Sequence, residues 1–247
     1  TQAMAPAPES SNGGLFATVE IAKIDNNGSI RMPPDVRDVV IEIGCSDRNT
    51  LDDEHLPFRP SSFLISFEPL VDKYASLLAK ANFRFNHGLK DLATPLGHHD
   101  PHGVVLPIAV SAEGGPANFS VSSVSGCSSL MEINANTTWG KWCIDRTERR
   151  SIQTISLDQA VRYAGNRPVS RLKIDAQGVY RRRGHLAGMD CSGAILALPL
   201  CVGYASAGLD FQIIRAASPA SLSKISKIQM AVRSSSCPPL YHGQASC

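Results

Sequence analysis

The stretch Val39-Val40-Ile41-Glu42-Ile43-Gly44-Cys45-Ser46-Asp47-Arg48-Asn49-Thr50 decides the fold that this sequence predicts. Its β-branched first half carries one charge, Glu42, and is typical of a strand buried on both faces of a parallel sheet. Gly44 then allows a sharp turn and a close approach of the backbone to a ligand. The stretch therefore predicts a ligand site at the carboxyl end of this strand, although a buried strand with an ordinary turn has the same pattern.

A second strand and a helix follow this turn. Phe63–Phe67 is apolar and ends at Glu68-Pro69, and apolar residues at helical spacing predict a helix over Leu70–Ala81. A strand, a helix and another strand in this order indicate a right-handed βαβ unit and a parallel sheet. Glu68 lies at the end of the second strand, where a carboxylate can accept hydrogen bonds from both ribose hydroxyls of a nucleoside. A solvated loop acid is the alternative.

The remaining apolar segments extend this α/β pattern. They are the predicted strands Val104–Val110, Arg171–Asp175 and Ile225–Val232, an extended piece at Phe119–Val124, and the helices Asp158–Tyr163 and Leu209–Ala217. Ser156 is predicted to cap the first of these helices, because its hydroxyl can accept from an N–H of the first turn. Asp175 ends a strand beside the same crevice and could orient or deprotonate a substrate hydroxyl, or it could simply cap a loop.

The composition excludes several classes of protein. A hydrophobic content of 43% and a charged content of 19% are ordinary for a globular domain. The net charge of +2 and the lack of any basic run beyond Arg181-Arg182-Arg183 argue against a nucleic-acid partner. The longest apolar stretch, Ala194–Val202, is too short to span a membrane and contains Pro199.

The seven cysteines are odd in number and show no C-x-x-C spacing. This pattern predicts reduced, mostly buried thiols and favours a cytoplasmic protein over a secreted one. Three segments match the acceptor pattern for N-linked glycosylation: Asn27-Gly28-Ser29, Asn118-Phe119-Ser120 and Asn136-Thr137-Thr138. Because the cysteines argue against secretion, these matches are predicted to be unused.

Two polar loops leave their roles open. His98-His99-Asp100-Pro101-His102 could bind a metal, but such a run is more often a solvated loop. Ser125–Leu130 is a run of small residues that fits either a flexible surface or a lid with hydroxyl donors over a ligand.

The domain organisation predicted from the sequence is simple. Residues 1–14 are rich in Ala, Pro, Ser and Gly and predict a disordered lead-in, and residues 15–247 predict a single domain. Within that domain, residues 179–208 lack both helical and strand periodicity and predict an irregular insertion.

Five strand-end motifs occur in one order along the chain. They are Ile41-Glu42-Ile43-Gly44-Cys45, Phe67-Glu68-Pro69, Ala109-Val110-Ser111, Ser128-Ser129-Leu130 and Lys173-Ile174-Asp175-Ala176-Gln177-Gly178. Together they resemble the FkbM family of S-adenosylmethionine-dependent methyltransferases. The resemblance implies a Rossmann-like methyltransferase sheet, mostly parallel with helices on both faces. It also implies methyl transfer from S-adenosylmethionine, typically to a hydroxyl of a small molecule or glycan, with no metal required.

The resemblance also assigns roles to residues. By this likeness, the residues that line the methionine end of the cofactor are Glu42, Gly44, Cys45 and Ser46, and Glu68 holds the ribose. Ala109 and Val110 lie near the adenine side. The catalytic residues implied are Asp175 and Gln177, with Ser128 and Ser129 in a loop on the substrate side.

Three departures from the family pattern bear on activity. Ser46 stands where the family usually has a second glycine, and the segment 179–208 separates Gly178 from Leu209-Asp210-Phe211. The two antiparallel strands that end the family's sheet are expected to be missing. One alternative is therefore a degenerate methyltransferase fold that binds a ligand without turnover. A second alternative, a nicotinamide-dependent oxidoreductase, is disfavoured because G-x-G-x-x-G is missing.

Overall fold

A computed structural model describes residues 22–46, 51–78, 102–124, 127–136, 138–144, 147–176 and 209–230 of the chain. The strands in these ranges are β1 (Asp38–Ile43), β2 (Ser62–Phe67), β3 (Gly103–Leu106), β4 (Ala109–Ser111), β5 (Gly115–Ser122), β6 (Thr147–Ser156), β7 (Val169–Ile174) and β8 (Ile228–Met230). The helices are α1 (Leu51–Glu54), α2 (Val71–Leu78), α3 (Thr138–Cys143), α4 (Leu157–Tyr163), α5 (Leu209–Ala216) and α6 (Pro219–Leu222), with a 3₁₀ turn at Leu56–Phe58.

Five strands form the main sheet, in the order β3-β2-β1-β7-β8. Every neighbouring pair in this sheet is parallel. The register places Ile43 of β1 beside Phe67 of β2 and Ile174 of β7, so the carboxyl ends of these three strands meet at one edge. The α/β fold with a mostly parallel sheet is confirmed.

Side chains of β1 alternate between two apolar layers. Val39, Ile41 and Ile43 pack into the larger core, to which α4 and α5 contribute apolar residues. Val40 packs on the opposite face, in a second core that includes Leu51 of α1 and Leu77 of α2. Helices therefore cover both faces of the sheet, which explains why β1 is a β-branched run with so little polar alternation.

The second sheet is smaller and has the order β4-β6-β5. The predicted single strand Val104–Val110 is wrong, because the chain divides at Pro107 into β3 of the main sheet and β4 of this one. Pro107 has no N–H to give to a ladder, and the N–H of Ile108 turns back to the carbonyl of Leu106 at 2.9 Å. β4 runs parallel to β6, and β5 pairs with β6 antiparallel.

Other predicted elements agree with the structure within the described ranges. The hydroxyl of Ser156 accepts from the N–H of Gln159 at 3.3 Å and caps α4, as predicted. The predicted helix Leu209–Ala217 is confirmed as α5. The predicted strand Ile225–Val232 corresponds to β8, whose ladder spans Ile228–Met230, while Ile225 forms an isolated parallel bridge with Val169. Residues 231 and 232 lie outside the described ranges. The predicted lead-in 1–14, insertion 179–208 and missing final strands concern residues outside the described ranges.

The cysteine prediction is wrong for one pair. Cys127 and Cys143 form a disulfide, with their Cα atoms 5.6 Å apart, whereas Cys45 is a free, buried thiol. The two bonded residues are 16 positions apart in sequence, so their pairing has no short-spacing signal and depends on the fold. Among the helices described above, none has the length and apolar character needed to cross a bilayer.

Candidate functional site

The turn after β1 admits only glycine at position 44. Gly44 has a φ of +74°, in the left-handed region that favours glycine. A Cβ atom added at this position would lie 2.4 Å from the carbonyl oxygen of Asp175. The N–H of Gly44 donates to the carbonyl of Phe67 at 3.0 Å. The turn is therefore packed between the ends of β2 and β7, as expected for a backbone that other groups must approach closely.

Ser46 continues the turn in a conformation unusual for its residue type. Its φ is 53°, a left-handed value that costs a non-glycine residue energy. Hydrogen bonds to Glu68 and Lys73 help to hold it there. Its N–H donates to Oε2 of Glu68 at 2.8 Å, and the ammonium of Lys73 donates to its hydroxyl at 3.1 Å. The position at which the FkbM pattern has a second glycine thus keeps a glycine-like backbone.

Glu68 joins the two turns that follow β1 and β2. The side chain is buried, and Oε1 accepts from the N–H of Leu70 at 3.0 Å while Oε2 accepts from Ser46. Its own N–H donates to the carbonyl of Leu106 at the end of β3. These contacts tie the turn after β1 to the turn after β2 through one buried carboxylate.

Glu42 lies at the centre of a buried ion pair. Its Oε1 is 2.8 Å from the ammonium of Lys173 on β7, and its Oε2 accepts from the N–H of Leu51 at 2.9 Å. Burial raises the pKa of Glu42 to about 7, against the opposing charge of Lys173. Glu42 therefore links β1, β7 and α1 just beneath the turn.

Asp175 and Asp210 form a second acidic pair at the same edge. Asp175 is half-buried, directly follows β7 and donates its N–H to the carbonyl of Ile43 at 2.9 Å. Asp210, in the first turn of α5, accepts from the N–H of Ala176 at 3.1 Å. Burial raises the pKa of Asp210 to about 7, and the charge of Asp175 adds to this. Asp210 is not among the residues predicted from the sequence, where its one signal is an acid at the start of an apolar helix.

Three other predicted cofactor residues are buried: Cys45 in the turn itself, and Ala109 and Val110 in the second sheet. The thiol of Cys45 is buried 3.5 Å from the carbonyl of Phe67, and burial raises its pKa well above the usual range. Ala109 and Val110 are buried in β4, where Val110 packs into the larger core.

Ser128 and Ser129, predicted to lie in a loop on the substrate side, form hydrogen bonds with β5 of the second sheet. The hydroxyl of Ser128 accepts from the N–H of Ser122, and Ser129 exchanges two main-chain hydrogen bonds with Ser120 of β5. The disulfide of Cys127 begins this segment. Gln177 lies outside the described residues.

The described part of the chain also contains a cavity away from these residues. A cavity of about 360 Å³ lies between the hairpin that contains Asp25 and the segment Gly165–Arg167, and it includes none of the predicted site residues. In the described part of the chain, no three His, Cys, Asp or Glu side chains are grouped as metal ligands would be, and His98 to Pro101 lie outside it. Comparisons with protein-family models, with curated proteins and with solved structures found no match to this chain.

Proposed function

We propose that this protein transfers a methyl group from S-adenosylmethionine to a hydroxyl of a small molecule or glycan. The observation that carries the proposal is the Gly44 turn, which has no room for a Cβ atom and lies where the carboxyl ends of β1, β2 and β7 meet. In open α/β sheets this is the crevice in which ligands bind. The resemblance to the FkbM family, given by the strand-end motifs, supplies the identity of the cofactor.

The residues around the turn fit a nucleoside cofactor with an amino-acid tail. The main chain of Gly44, Cys45 and Ser46 would line the methionine end, and the carboxylate of Glu68, at the end of β2, would accept from the ribose hydroxyls. When bound, S-adenosylmethionine supplies an electrophilic methyl group. The protein then needs mainly to position the acceptor, because correct orientation removes much of the barrier.

Asp175 is the proposed base. Its carboxyl follows β7 at the same edge and could take the proton from an acceptor hydroxyl. The Asp210 carboxyl nearby has a pKa raised to about 7. Below about pH 7, Asp210 would be mostly protonated and would place no second negative charge beside Asp175.

Glu68→Ala is expected to weaken S-adenosylmethionine binding about ten- to hundredfold, measured by calorimetry on the purified chain. Hydrogen bonds to charged groups contribute about 1.5–3 kcal/mol, which corresponds to that range. Glu148→Ala is the matched control, because it removes a carboxylate on β6 that pairs with Arg150 in solvent. Circular dichroism must show that both variants fold. Equal affinity of the folded Glu68 variant and the wild type would contradict the ribose assignment.

Asp175→Asn is expected to lower methyl transfer about 10²- to 10⁴-fold, the usual contribution of a general base. Cofactor affinity should change little, since the amide preserves the shape of the side chain. The measurement is incorporation of a radiolabelled methyl group into hydroxyl-bearing acceptors, with binding measured in parallel. An unchanged transfer rate would remove Asp175 from the chemical step.

A second candidate function is binding without turnover. It is favoured by departures from the FkbM pattern: Ser46 stands in place of the second glycine, and the segment 179–208 follows Gly178. Binding and methyl-transfer assays on the wild-type protein distinguish the two proposed functions. Saturable cofactor binding with no methyl transfer to any of a broad set of hydroxyl acceptors would favour the binding module.

A further inference from the structure

Three asparagines in N-linked acceptor patterns are exposed in the structure. They are Asn27 in Asn27-Gly28-Ser29, Asn118 in Asn118-Phe119-Ser120, and Asn136 in Asn136-Thr137-Thr138. Such a pattern can carry a glycan in the folded protein only where the asparagine faces solvent, because the attached sugar is bulky and polar. All three positions meet this condition. The proposed function does not use any of them.

Asn27 lies at the tip of a short turn that is held by another residue. The carboxylate of Asp25 accepts from the N–H of Asn27 and from the N–H of Ser29, each at 2.9 Å. Gly28 takes the left-handed conformation of the turn, with a φ of +80°. Because Asp25 and Gly28 hold the turn, a modified Asn27 side chain would leave its geometry intact.

Asn118 is placed by the alternation of β5. Its neighbour Phe119 is buried, and successive side chains of a strand point to opposite faces. The side chain of Asn118 therefore faces solvent, across from Ser151 of β6. A glycan here would extend from the outer face of the second sheet.

Asn136 lies in the segment that the disulfide closes. Its N–H donates to Oδ1 of Asn134 at 3.0 Å, in a turn just before α3. Cys143, at the end of α3, is bonded to Cys127. Asn136 is thus exposed in a stretch whose two ends are covalently joined.

The disulfide is an independent observation that points to the same compartment. Disulfides form and persist in oxidising compartments such as the endoplasmic reticulum, which is also where N-linked acceptor patterns are used. We propose that this chain matures in such a compartment and carries N-linked glycans at Asn27, Asn118 and Asn136. With Cys127 and Cys143 paired, the cysteines no longer argue against secretion.

The modification requires a glycan donor, an oligosaccharide linked to a lipid through pyrophosphate. A bond forms between Nδ2 of the asparagine and the anomeric carbon of the first sugar. The bond from that carbon to the pyrophosphate oxygen breaks, and the lipid pyrophosphate leaves with the electron pair. The proton lost from Nδ2 goes to a base of the transferring enzyme. The proposal does not rest on methyl transfer, but if both hold, S-adenosylmethionine must reach the same compartment.

The test uses the full chain isolated from its source cells after alkylation of free thiols. Enzymatic removal of N-glycans in heavy-oxygen water converts each glycan-bearing asparagine to a labelled aspartate, which peptide mass spectrometry locates. A parallel sample without the glycosidase corrects for spontaneous deamidation of Asn27 before Gly28. Asn166, exposed but outside any acceptor pattern, is the internal control and should stay unlabelled.

Enzyme-dependent label at Asn27, Asn118 or Asn136 supports the assignment of that residue, and an unlabelled residue overturns it. If Cys127 and Cys143 are recovered as alkylated thiols, they were not paired in the cell, and the proposed maturation in an oxidising compartment is wrong. The variants Ser29→Ala and Ser120→Ala keep the asparagines but destroy the acceptor patterns. Each should abolish the label at its own asparagine alone, and label that persists would show that the modification is not N-linked glycosylation.

Discussion

Gly44→Ala is expected to destabilise the folded chain by about 2–6 kcal/mol. A left-handed backbone costs a non-glycine residue about 1–3 kcal/mol. The new Cβ would also lie 2.4 Å from the Asp175 carbonyl oxygen and 3.0 Å from the Cα of Ala176, both of which are main-chain atoms. Forced overpacking of this kind adds about 1–3 kcal/mol. Urea unfolding followed by circular dichroism measures the change.

Gly115→Ala is the matched control for this variant. Gly115 has a φ of +92°, so its replacement meets the same kind of backbone strain, but a Cβ at this position has no atom within 4 Å. The free energy of unfolding of this control should therefore fall only by the cost of the strained backbone, about 1–3 kcal/mol. Equal losses of unfolding free energy for the two variants would show that the close approach of the Asp175 and Ala176 main chain to position 44 adds no cost.

Lys173→Met is expected to destabilise the chain by about 3–5 kcal/mol above pH 7 and by much less near pH 5. The substitution leaves Glu42, which is 0% exposed, without its positive partner. Removing one member of a buried ion pair has a cost of this size because the remaining charge stays buried. At lower pH, Glu42 takes up a proton, and the loss then approaches that of a hydrogen bond, about 1 kcal/mol.

The sign of this pH dependence follows from the pKa values in the folded state. Burial raises the pKa of Glu42 to about 7, from an ordinary value of 4.5, although Lys173 opposes the shift. Between these two values the folded state binds more protons than the unfolded state. The contribution of Glu42 to stability is therefore fully present below about pH 4.5 and is lost as the pH rises through about 7. Asp210 contributes in the same direction, since burial also raises its pKa to about 7.

The measurement is urea unfolding of both proteins at about pH 5 and about pH 8.5. Lys141→Met is the control, because Lys141 is an exposed lysine on α3. Its substitution should change the free energy of unfolding by no more than about 0.5 kcal/mol at either pH. In the double variant Glu42→Gln with Lys173→Met, the pH dependence of the loss should largely disappear. A loss for Lys173→Met that is the same at both pH values would mean that Glu42 is not the cause.

Local sequence was enough to predict the main sheet. The β-branched run of β1 and the apolar β2 each have too little polar alternation for a half-exposed strand, and the two strands lie side by side in the sheet. The Gly44 turn and the cap of Ser156 were also predictable, because each depends on one residue type and its immediate neighbours. Glu68 could be placed at the end of β2 for the same reason.

The contacts between distant segments were decided only by the tertiary structure. Lys173 reaches Glu42 across 131 positions, and Ala176 meets Asp210 across 34, so neither contact follows from a local pattern. The division of residues 104–110 between two sheets depends on the strands with which β3 and β4 pair in the fold. The pairing of Cys127 with Cys143 likewise depended on how the chain brings β5 and α3 together. Periodicity and turn chemistry act over a few residues, whereas burial, ion pairing and disulfide geometry depend on residues that only the fold makes neighbours.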